Sequence, residues 1–532
     1  MKYKWVLIAV IIGLVLRLLT LNNAISFDEY VQVKAVLEAN PAGLDKLTEM
    51  NPLTTWTRLM FTHIFGVSVL VLRSVSLLFA VLTGIVLYLL GKELYDRKTA
   101  LWAVALLSLS SLHMLVSTSI SFDGAFLTFY TLLTMYCYVK YSKTLDRNWL
   151  VYCGLAFGLC VLTKYTGVLV FFALVLYSLV LHKSVKKTLY EGFFIGICGL
   201  LVYSVFPLAA LFSDFSYFWI SLQHGQNYFG GRMISLPLLL IQYALALIWI
   251  GPLLLFGYLL SFKKFKQSDW LLHFLVFVVF AFYTFVVQDP FRPVERYFTV
   301  FLPVLCLLTG KYFANLKLDR KQFAIMVSGF GLLLFFWYLV ASLPMAVLAF
   351  YPKTAFISAV LHFKWSFLMP FTGDQGPIGL YVSFLVIALA FIFSLVCFIC
   401  VLLGKRNAAV ILLSVGLSFS VFFMVEMALH PMSPDISAVT KETAAYVSNL
   451  TSPYFVFRDY AIRYYLDKGT TQFDFDSNVT YVRSKLQKHG TLIVVDFPAL
   501  DKDSALWKNF TACKQLTNVS SRGLVMGYVF SC

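Results

Sequence analysis

Two adjacent carboxylates, Asp28 and Glu29, follow directly after the first apolar stretch of the chain, which runs from Trp5 to Leu21. Removing carboxylates from water is costly, and ionisable groups at the mouth of an apolar bundle commonly have a function. A carboxylate can take the proton of an attacking hydroxyl, and such general-base help contributes roughly 10²–10⁴-fold in rate. The pair therefore predicts chemistry at a membrane surface; an ordinary solvated loop is the alternative for two acids taken alone.

Further charged side chains are expected at helix ends on the same membrane face: Arg73, Asp123, Lys164, Arg292 and Arg296. Arg and Lys bind phosphate groups, Arg through two parallel hydrogen bonds. Acids and cations at one interface favour a negatively charged, lipid-borne substrate. The alternatives are a snorkelling anchor for Arg73, a helix N-cap for Asp123, a solvated turn for Lys164 and a rim charge for Arg292.

The elements that must hold these residues are apolar helices. Of the 532 residues, 60% are apolar and 17% are aromatic, and the mean hydropathy is +0.81. Because a spanning helix needs roughly 20 apolar residues, the sequence predicts a polytopic α-helical membrane protein with about 13 transmembrane helices. They start near Trp5, Ser68, Thr99, Asp123, Trp149, Tyr165, Tyr190, Leu236, Trp270, Arg296, Gln322, Ile378 and Ala408.

The net charge of +16 raises the possibility of a nucleic-acid partner, but its distribution indicates membrane topology instead. The basic residues cluster in short loops that fit the cytoplasmic side by the positive-inside rule. These are Lys92, Arg97 and Lys98; Lys140, Lys143 and Arg147; Lys183, Lys186 and Lys187; Lys263, Lys264 and Lys266; Lys311, Lys317, Arg320 and Lys321; Lys405 and Arg406. We therefore expect no nucleic acid, a cytoplasmic N-terminus on a retained first helix, and an extracytoplasmic C-terminus.

The composition becomes more polar after about residue 430. This predicts two domains, a transmembrane catalytic domain at 1–429 and a small extracytoplasmic α/β domain at 430–532. Helices are expected over Ser437–Leu450 and Tyr460–Leu466, and strands over Thr491–Phe497 and Gly523–Phe530. Four N-glycosylation sequons begin at Asn449, Asn478, Asn509 and Asn518. Whether Cys513 and Cys532 form a disulfide is left open.

In its ordered motifs the chain resembles the GT-C membrane glycosyltransferases, specifically the protein O-mannosyltransferase and lipid A aminoarabinose transferase superfamily. The resemblance covers roughly residues 1–310. The matching motifs are the acidic pair Asp28-Glu29, Arg73 in the second helix, Asp123, the Leu-x-Lys-x-x-Gly element at Leu162–Gly167, and Arg296-Tyr297 through Pro303. Asn51-Pro52-Leu53 stands where the family often has His-Pro-Pro, which leaves any metal role of this position open.

The resemblance implies an inverting glycosyltransferase that uses a polyprenyl- or dolichyl-phosphate sugar at the outer face. Asp28 would be the catalytic base, and Glu29 and Asp123 would place the sugar or acceptor. Lys164, Arg296 and Arg73 would bind the lipid phosphate, while Arg292 and Tyr297 complete the substrate-binding set. No nucleotide and no obligatory metal are implied. The expected partners are the lipid-phosphate sugar donor, a protein or lipid-linked acceptor, and membrane lipids.

Two other functions are weighed against this one. A transporter or lipid flippase would be expected to show repeated halves and mid-membrane charges, which the sequence does not show. An oligosaccharide-transferring enzyme of the same superfamily usually carries a Trp-Trp-Asp-type motif, and 430–532 has none. Asp474-Phe475-Asp476 resembles the D-x-D of nucleotide-sugar transferases, but it is expected to be a surface turn. The sugar and the acceptor stay open.

Overall fold

The computed structural model describes most of the chain. The described residues are 2–39, 52–120, 124–216, 218–220, 222–223, 243–244, 246–285, 295–316, 319–349, 354–371, 380–450, 453–457, 460–466, 470–473, 477–487 and 490–532. Within these ranges, seven helices are long and apolar enough to cross a membrane, or eight if one bent pair is a single span. The larger helix count expected from the sequence stays a prediction.

Fifteen helices between Lys2 and Ala341 have bounds that the structure describes. They are α1 (Lys2–Thr20), α2 (Phe27–Glu38), α3 (Pro52–Phe65), α4 (Val69–Leu94), α5 (Arg97–Ser108), α6 (Ser111–Ser117), α7 (Gly124–Thr144), α8 (Arg147–Thr163), α9 (Val168–His182), α10 (Val185–Tyr203), α11 (Val205–Leu211), α12 (Pro252–Ser261), α13 (Asp269–Phe285), α14 (Leu302–Ala314) and α15 (Arg320–Ala341). Short 3-10 helices cover Tyr165–Gly167, Phe262–Lys264 and Glu295–Phe301. The count applies to the described ranges above.

Polar residues in the short connections start several of these helices. The side chains of Ser68, Asp96, Asp146 and Ser184 accept hydrogen bonds from backbone N–H groups in the first turns of α4, α5, α8 and α10. Such N-caps satisfy backbone donors that the helix itself leaves unpaired. The apolar runs therefore become helices with defined starting points, as the sequence predicts for most of them.

The helix expected from Thr99 is broken. α5 and α6 meet at a bend of 68°, so this stretch is a broken span or a re-entrant loop. Ser110 caps the start of α6 by accepting from the His113 N–H, which begins a new helix inside the apolar run. A second correction concerns Lys311, which was expected in a basic loop. It lies in the last turn of α14 and is buried.

The chain separates into two compact units. The first consists of Met1–Leu21, Val31–Gly331 and Phe393–Met424. The second consists of Asn22–Tyr30, Leu332–Ile392 and Val425–Cys532. The segment expected to be an outer domain thus shares its unit with 22–30 and 332–392, and the boundary after residue 429 stays a prediction.

The remaining elements begin with β1 (Ala346–Val347), α16 (Thr354–Leu361), β2 (Phe367–Phe371), β3 (Leu380–Ser383), α17 (Phe384–Leu402) and α18 (Arg406–Leu429). They continue with α19 (Ile436–Val447), β4 (Tyr454–Phe457), α20 (Tyr460–Leu466), β5 (Thr470–Phe473), α21 (Val479–Leu486), β6 (Thr491–Val495), α22 (Ala505–Thr511), β7 (Lys514–Ser521) and β8 (Leu524–Ser531). The expected elements near 437, 460, 491 and 523 are confirmed as α19, α20, β6 and β8. The strands β4, β5 and β7 were not predicted.

The second unit contains a five-stranded sheet in the order β5-β4-β6-β8-β7. β4 pairs in parallel with β5 and β6, whereas β8 runs antiparallel to both β6 and β7. Alternate residues of β6 enter different cores, with Ile493 and Val495 in one and Leu492 and Val494 in the other. Both faces are therefore covered, as expected for a sheet with parallel strands. Cys513 and Cys532 form a disulfide.

Candidate active site

The Leu-x-Lys-x-x-Gly element forms the tight connection between α8 and α9. Leu162 is buried in a cluster with Phe206 and Ala210, which fixes the end of α8. Lys164 follows directly, and its carbonyl accepts a hydrogen bond from the Gly167 N–H at 2.8 Å. A Cβ on Gly167 would lie 2.5 Å from the Cys160 carbonyl oxygen. The turn therefore requires glycine at this position, and it presents Lys164 at the helix end.

α8 is itself held closely against α10. A Cβ on Gly158 would lie 2.5 Å from the Val202 Cβ and 2.7 Å from the Gly199 carbonyl oxygen. Small residues at such crossings let two helix backbones approach closely. The close crossing fixes the position of α8 and therefore of the Lys164 turn at its end.

The fold brings Lys164 together with Tyr297, which lies far away in the sequence. The Lys164 Nζ is 4.5 Å from the centroid of the Tyr297 ring. The Tyr297 ring also stacks in parallel on the Tyr283 ring, at a centroid distance of 4.9 Å. Tyr297 is buried, whereas Lys164 is half-buried. A cation over an aromatic face is attracted electrostatically, so the ring helps to fix the position of the ammonium group.

A third segment joins these two. The Thr128 hydroxyl, in the first turns of α7, lies 3.4 Å from the Thr299 carbonyl oxygen of the 3-10 helix that carries Tyr297. The same hydroxyl donates to the Gly124 carbonyl at 3.0 Å. The start of α7, the end of α8 and the 3-10 helix before α14 thus converge in the first unit.

Arg73 lies in the first turns of α4 and is 1% exposed. Its Nη1 donates to the Leu21 carbonyl oxygen, just after α1, at 2.8 Å. A snorkelling anchor would keep its charged group in water, so the burial does not support that alternative. Arg73 connects α4 to the end of α1, and its role in substrate binding stays a prediction.

Glu29 is buried and forms a capping box with Ser26. The Ser26 N–H donates to the Glu29 Oε2 at 3.0 Å, and the Glu29 N–H donates to the Ser26 Oγ at 3.4 Å. This reciprocal pair is a standard start for a helix. It places Asp28 in the first turn of α2, where the helix dipole favours negative charge. The Ser-x-x-Glu spacing could have revealed the cap from the sequence.

The segment before Asp28 is fixed by residues of the same second unit. The Ala24 N–H donates to the Ser437 Oγ at 2.6 Å, and the Ile25 N–H donates to the Tyr465 hydroxyl at 3.3 Å. The Lys441 Nζ donates to the Asn22 carbonyl oxygen at 2.5 Å. Residues far along the chain therefore hold the backbone that leads into the acidic pair.

Several predicted residues lie outside the described part of the structure. Asp123 and Arg292 fall in the undescribed ranges, and so do Asn51 and Asp474-Phe475-Asp476. Asp28 and Arg296 have described backbones, in α2 and in the 3-10 helix Glu295–Phe301, but their side chains are not described. Their roles stay predictions.

The structure also reveals two buried arginines that sequence reasoning missed. Arg58 of α3 donates to the Gln32 Oε1 at 2.7 Å and lies 5.6 Å from the Phe126 ring centroid. Arg17 of α1 donates to the Ser117 Oγ at 2.9 Å and to the Ser108 carbonyl oxygen at 2.7 Å. It thereby satisfies a carbonyl at the break between α5 and α6. Ionisable residues within apolar segments are the signal that could have identified both.

Within the described ranges, no group of three or more His, Cys, Asp or Glu side chains is arranged to hold a metal ion. Asn51 and Asp123 lie outside these ranges, so this finding does not concern them.

Comparison with known proteins supports the resemblance noted in the sequence. The family model of dolichyl-phosphate-mannose-protein mannosyltransferases matches residues 49–209, which include Arg73, Asp123 and Lys164. None of the curated proteins matches the chain. The matched stretch is part of the first unit and contains the Lys164 turn.

Two solved structures of ArnT from Cupriavidus metallidurans share the fold over nearly the whole chain. The apo structure has 15% sequence identity and a TM-score of 0.59, and the match covers 99% of this chain and 98% of that one. The structure bound to undecaprenyl phosphate has 16% identity and a TM-score of 0.58, with the same coverage. The resemblance to the GT-C membrane glycosyltransferases is thus confirmed, and the chain is a multi-pass membrane protein with this fold.

Proposed function

We propose that this chain is an inverting glycosyltransferase that moves a sugar from a polyprenyl- or dolichyl-phosphate carrier to an acceptor hydroxyl at the outer membrane face. Mannose or another hexose is the expected sugar, and a protein or a lipid-linked molecule is the expected acceptor. The observation that carries the proposal is the contact of Lys164 with Tyr297 at 4.5 Å. Lys164 and Tyr297 belong to two of the motifs that carry the family resemblance, and these motifs lie far apart in the sequence but are in contact in the fold.

Lys164 would bind the phosphate of the carrier. Its ammonium group is half-buried and is held over the Tyr297 ring. As the sugar leaves, the carrier phosphate gains negative charge, and a fixed cation stabilises that charge more in the transition state than in the ground state. Arg296 and Arg73 are proposed to assist, with Arg292 at the rim. Undecaprenyl phosphate in the ArnT structure of C. metallidurans supports a carrier of this chemical class.

Asp28 would act as the general base. In-line attack of the acceptor hydroxyl on the anomeric carbon forms the new glycosidic bond and breaks the bond to the phosphate, so the configuration inverts. The proton of the hydroxyl passes to the Asp28 carboxylate, and the phosphate leaves with the bonding electrons. Glu29 supports this role through the capping box with Ser26, which fixes Asp28 in the first turn of α2. Asp123 would place the sugar or acceptor.

The proposed function also includes an orientation of the chain in the membrane. The clustered basic loops favour a cytoplasmic N-terminus and an outer location for 430–532. Lys183 between α9 and α10 and Lys186 in the first turn of α10, for example, are exposed, as are Lys263, Lys264 and Lys266 between α12 and α13. The site residues at the opposite helix ends would then face the outer leaflet.

The decisive experiment follows the loss of the donor lipid. Purified protein is incubated with a panel of radiolabelled polyprenyl-phosphate sugars and acceptor-rich membranes. We expect the wild type to consume one donor and Asp28→Asn to lose roughly 10²–10⁴-fold in rate. Asp503→Asn is the matched control, because Asp503 is an exposed carboxylate elsewhere in the second unit, and it should retain full activity.

Two results would contradict the proposal. Normal transfer by Asp28→Asn would exclude Asp28 as the base. Absence of donor consumption by the wild type, together with solute or lipid movement in vesicles that lack an acceptor, would favour the transporter or flippase. The acceptor would be identified by following the radiolabel into protein or lipid fractions.

A further inference from the structure

An aromatic cavity of ≈ 530 Å³ lies where α12 ends and α13 begins, away from the Lys164 turn. Its lining includes Tyr258, Phe262, Trp270, His273 and Phe277. Ligand pockets commonly have volumes of roughly 300–1,000 Å³ and mostly apolar walls with a few polar groups. Phe262, Trp270 and Phe277 are exposed, at 48%, 39% and 62%. The cavity is therefore open to a ligand from the surrounding membrane.

His273 brings a polar ring into the lining of this cavity. It is 7% exposed, and its ring stacks on Phe262 at a centroid distance of 4.5 Å. Its Nδ1 lies 3.1 Å from the Tyr258 hydroxyl, while its Nε2 is buried without a hydrogen-bond partner in the described structure. An unsatisfied buried polar atom is costly. A ligand oxygen at Nε2 would remove that cost.

Positively charged residues flank Phe265, another residue that lines the cavity, in the sequence. Lys263, Lys264 and Lys266 are exposed in the connection between α12 and α13. The nearby Asp269 carboxylate is paired with Lys311. The Lys266 backbone N–H donates to the Asp269 carboxylate at 2.8 Å. Among the described residues the ammonium groups of Lys264 and Lys266 form no ion pair, so their charge is available to an anion. These lysines belong to a loop expected on the cytoplasmic side, where anionic lipids concentrate.

We propose that this cavity binds one anionic glycerophospholipid. Lys264 and Lys266 would hold the headgroup phosphate, the His273 Nε2 would meet an oxygen of the phosphate or the glycerol esters, and an acyl chain would fill the aromatic cavity as far as Phe277. Positive charge beside an apolar cavity matches the charge and shape of such a lipid. This site is independent of the proposed glycosyl transfer and is formed by other residues.

Native mass spectrometry of the full-length protein in detergent tests this site. The probes are phosphatidylglycerol and the zwitterionic phosphatidylcholine, each added over a concentration series. We expect phosphatidylglycerol to bind at one site at least roughly tenfold more tightly than phosphatidylcholine. The double variant Lys264→Gln/Lys266→Gln should weaken phosphatidylglycerol binding roughly 25-fold, because each lysine near an anionic lipid contributes about fivefold. Its phosphatidylcholine binding should fall much less, because the choline cation offsets the charge of the phosphate in that lipid.

The matched control is Lys183→Gln/Lys186→Gln, which removes the same charge from exposed lysines of another loop expected on that side. It should change phosphatidylglycerol binding less than twofold. Equal effects of the two double variants would show nonspecific attraction and overturn the site. Phe277→Ser should weaken both lipids, and unchanged binding in this variant would also overturn it. Preference for decaprenyl phosphate with the same lysine dependence would reject the glycerophospholipid as the occupant.

Discussion

The two ends of one span, Tyr297–Ala314, each pair a lysine with a tyrosine ring, but the two pairs differ. At one end the Lys164 Nζ lies 4.5 Å from the Tyr297 centroid. At the other end the Lys311 Nζ lies 5.3 Å from the Tyr95 centroid. Lys311 also binds the Asp269 carboxylate and donates to the Lys264 carbonyl oxygen at 2.6 Å. Its side chain is 5% exposed, whereas Lys164 is half-buried.

The difference separates a structural lysine from one suited to a ligand. At the Lys311 end a buried carboxylate balances the ammonium charge, and the Tyr95 hydroxyl donates to the same carboxylate. Burial first, and then the negative charge of Asp269, raise the pKa of the Tyr95 hydroxyl well above its usual range. Tyr95 therefore stays protonated and remains a donor at neutral pH. At the Lys164 end the ammonium group lies over an aromatic face, and the residue is half-buried.

The largest expected effect is on stability at the Lys311 end. Lys311→Met leaves the Asp269 carboxylate buried without its cation, so the free energy of unfolding should fall by about 3–5 kcal/mol. Unfolding in mixed detergent micelles measures this change. The double variant Lys311→Met/Asp269→Leu should recover much of the loss, because it removes both charges. If Lys311→Met were as stable as the wild type, the distinction between the two ends would fail.

At the Lys164 end the expected effect is on catalysis. Lys164→Met should lower the rate of donor consumption by roughly 10²–10³-fold, the range seen when one stabiliser of transition-state charge is removed. Its free energy of unfolding should change by no more than about 1 kcal/mol, the size of a cation–π contact made by a half-buried lysine. Lys186→Met, at an exposed lysine in the first turn of α10, serves as the control and should leave both quantities unchanged.

Arginine substitutions sharpen the same distinction. Lys164→Arg keeps a cation that can bind phosphate and stack on an aromatic ring, so it should restore at least roughly tenfold of the activity lost in Lys164→Met. Lys311→Arg introduces a larger group into a buried site and should destabilise the protein by about 1–3 kcal/mol. Comparing donor consumption and unfolding for both variants tests this. If Lys164→Arg destabilised the protein and Lys311→Arg did not, Lys164 and not Lys311 would be the structural lysine.

The smallest expected effect concerns the aromatic partner. Tyr297→Leu removes the ring under Lys164, and the lost cation–π attraction of about 1 kcal/mol corresponds to roughly fivefold in kcat/KM. Tyr297→Phe keeps the ring and should remain within about twofold of the wild type. Steady-state kinetics with the identified donor measure both variants. If kcat/KM fell equally in Tyr297→Leu and Tyr297→Phe, the Tyr297 hydroxyl and not the ring would be the important group.

Much of this architecture is already present in the sequence. The apolar runs predict the helices α4, α9 and α10 because backbone groups in lipid must be hydrogen-bonded within the segment itself. The short apolar run of Thr491–Val495, rich in β-branched residues, similarly predicts β6. The edge strand β7 was not predicted from the sequence, because its side chains are mostly polar and exposed. Its pairing with β8 comes from the tertiary structure.

The sequence by itself determined the membrane class, the residue types of the candidate site and the family resemblance, because these depend on local composition and spacing. Only the tertiary structure decided that Lys164 meets Tyr297 and that the segment before Asp28 is held by Ser437 and Tyr465. It also decided that Lys311 is a buried structural cation and not part of a basic loop. A sequence gives each lysine its charge, but neighbours distant in the chain determine how deeply that charge is buried and which groups surround it.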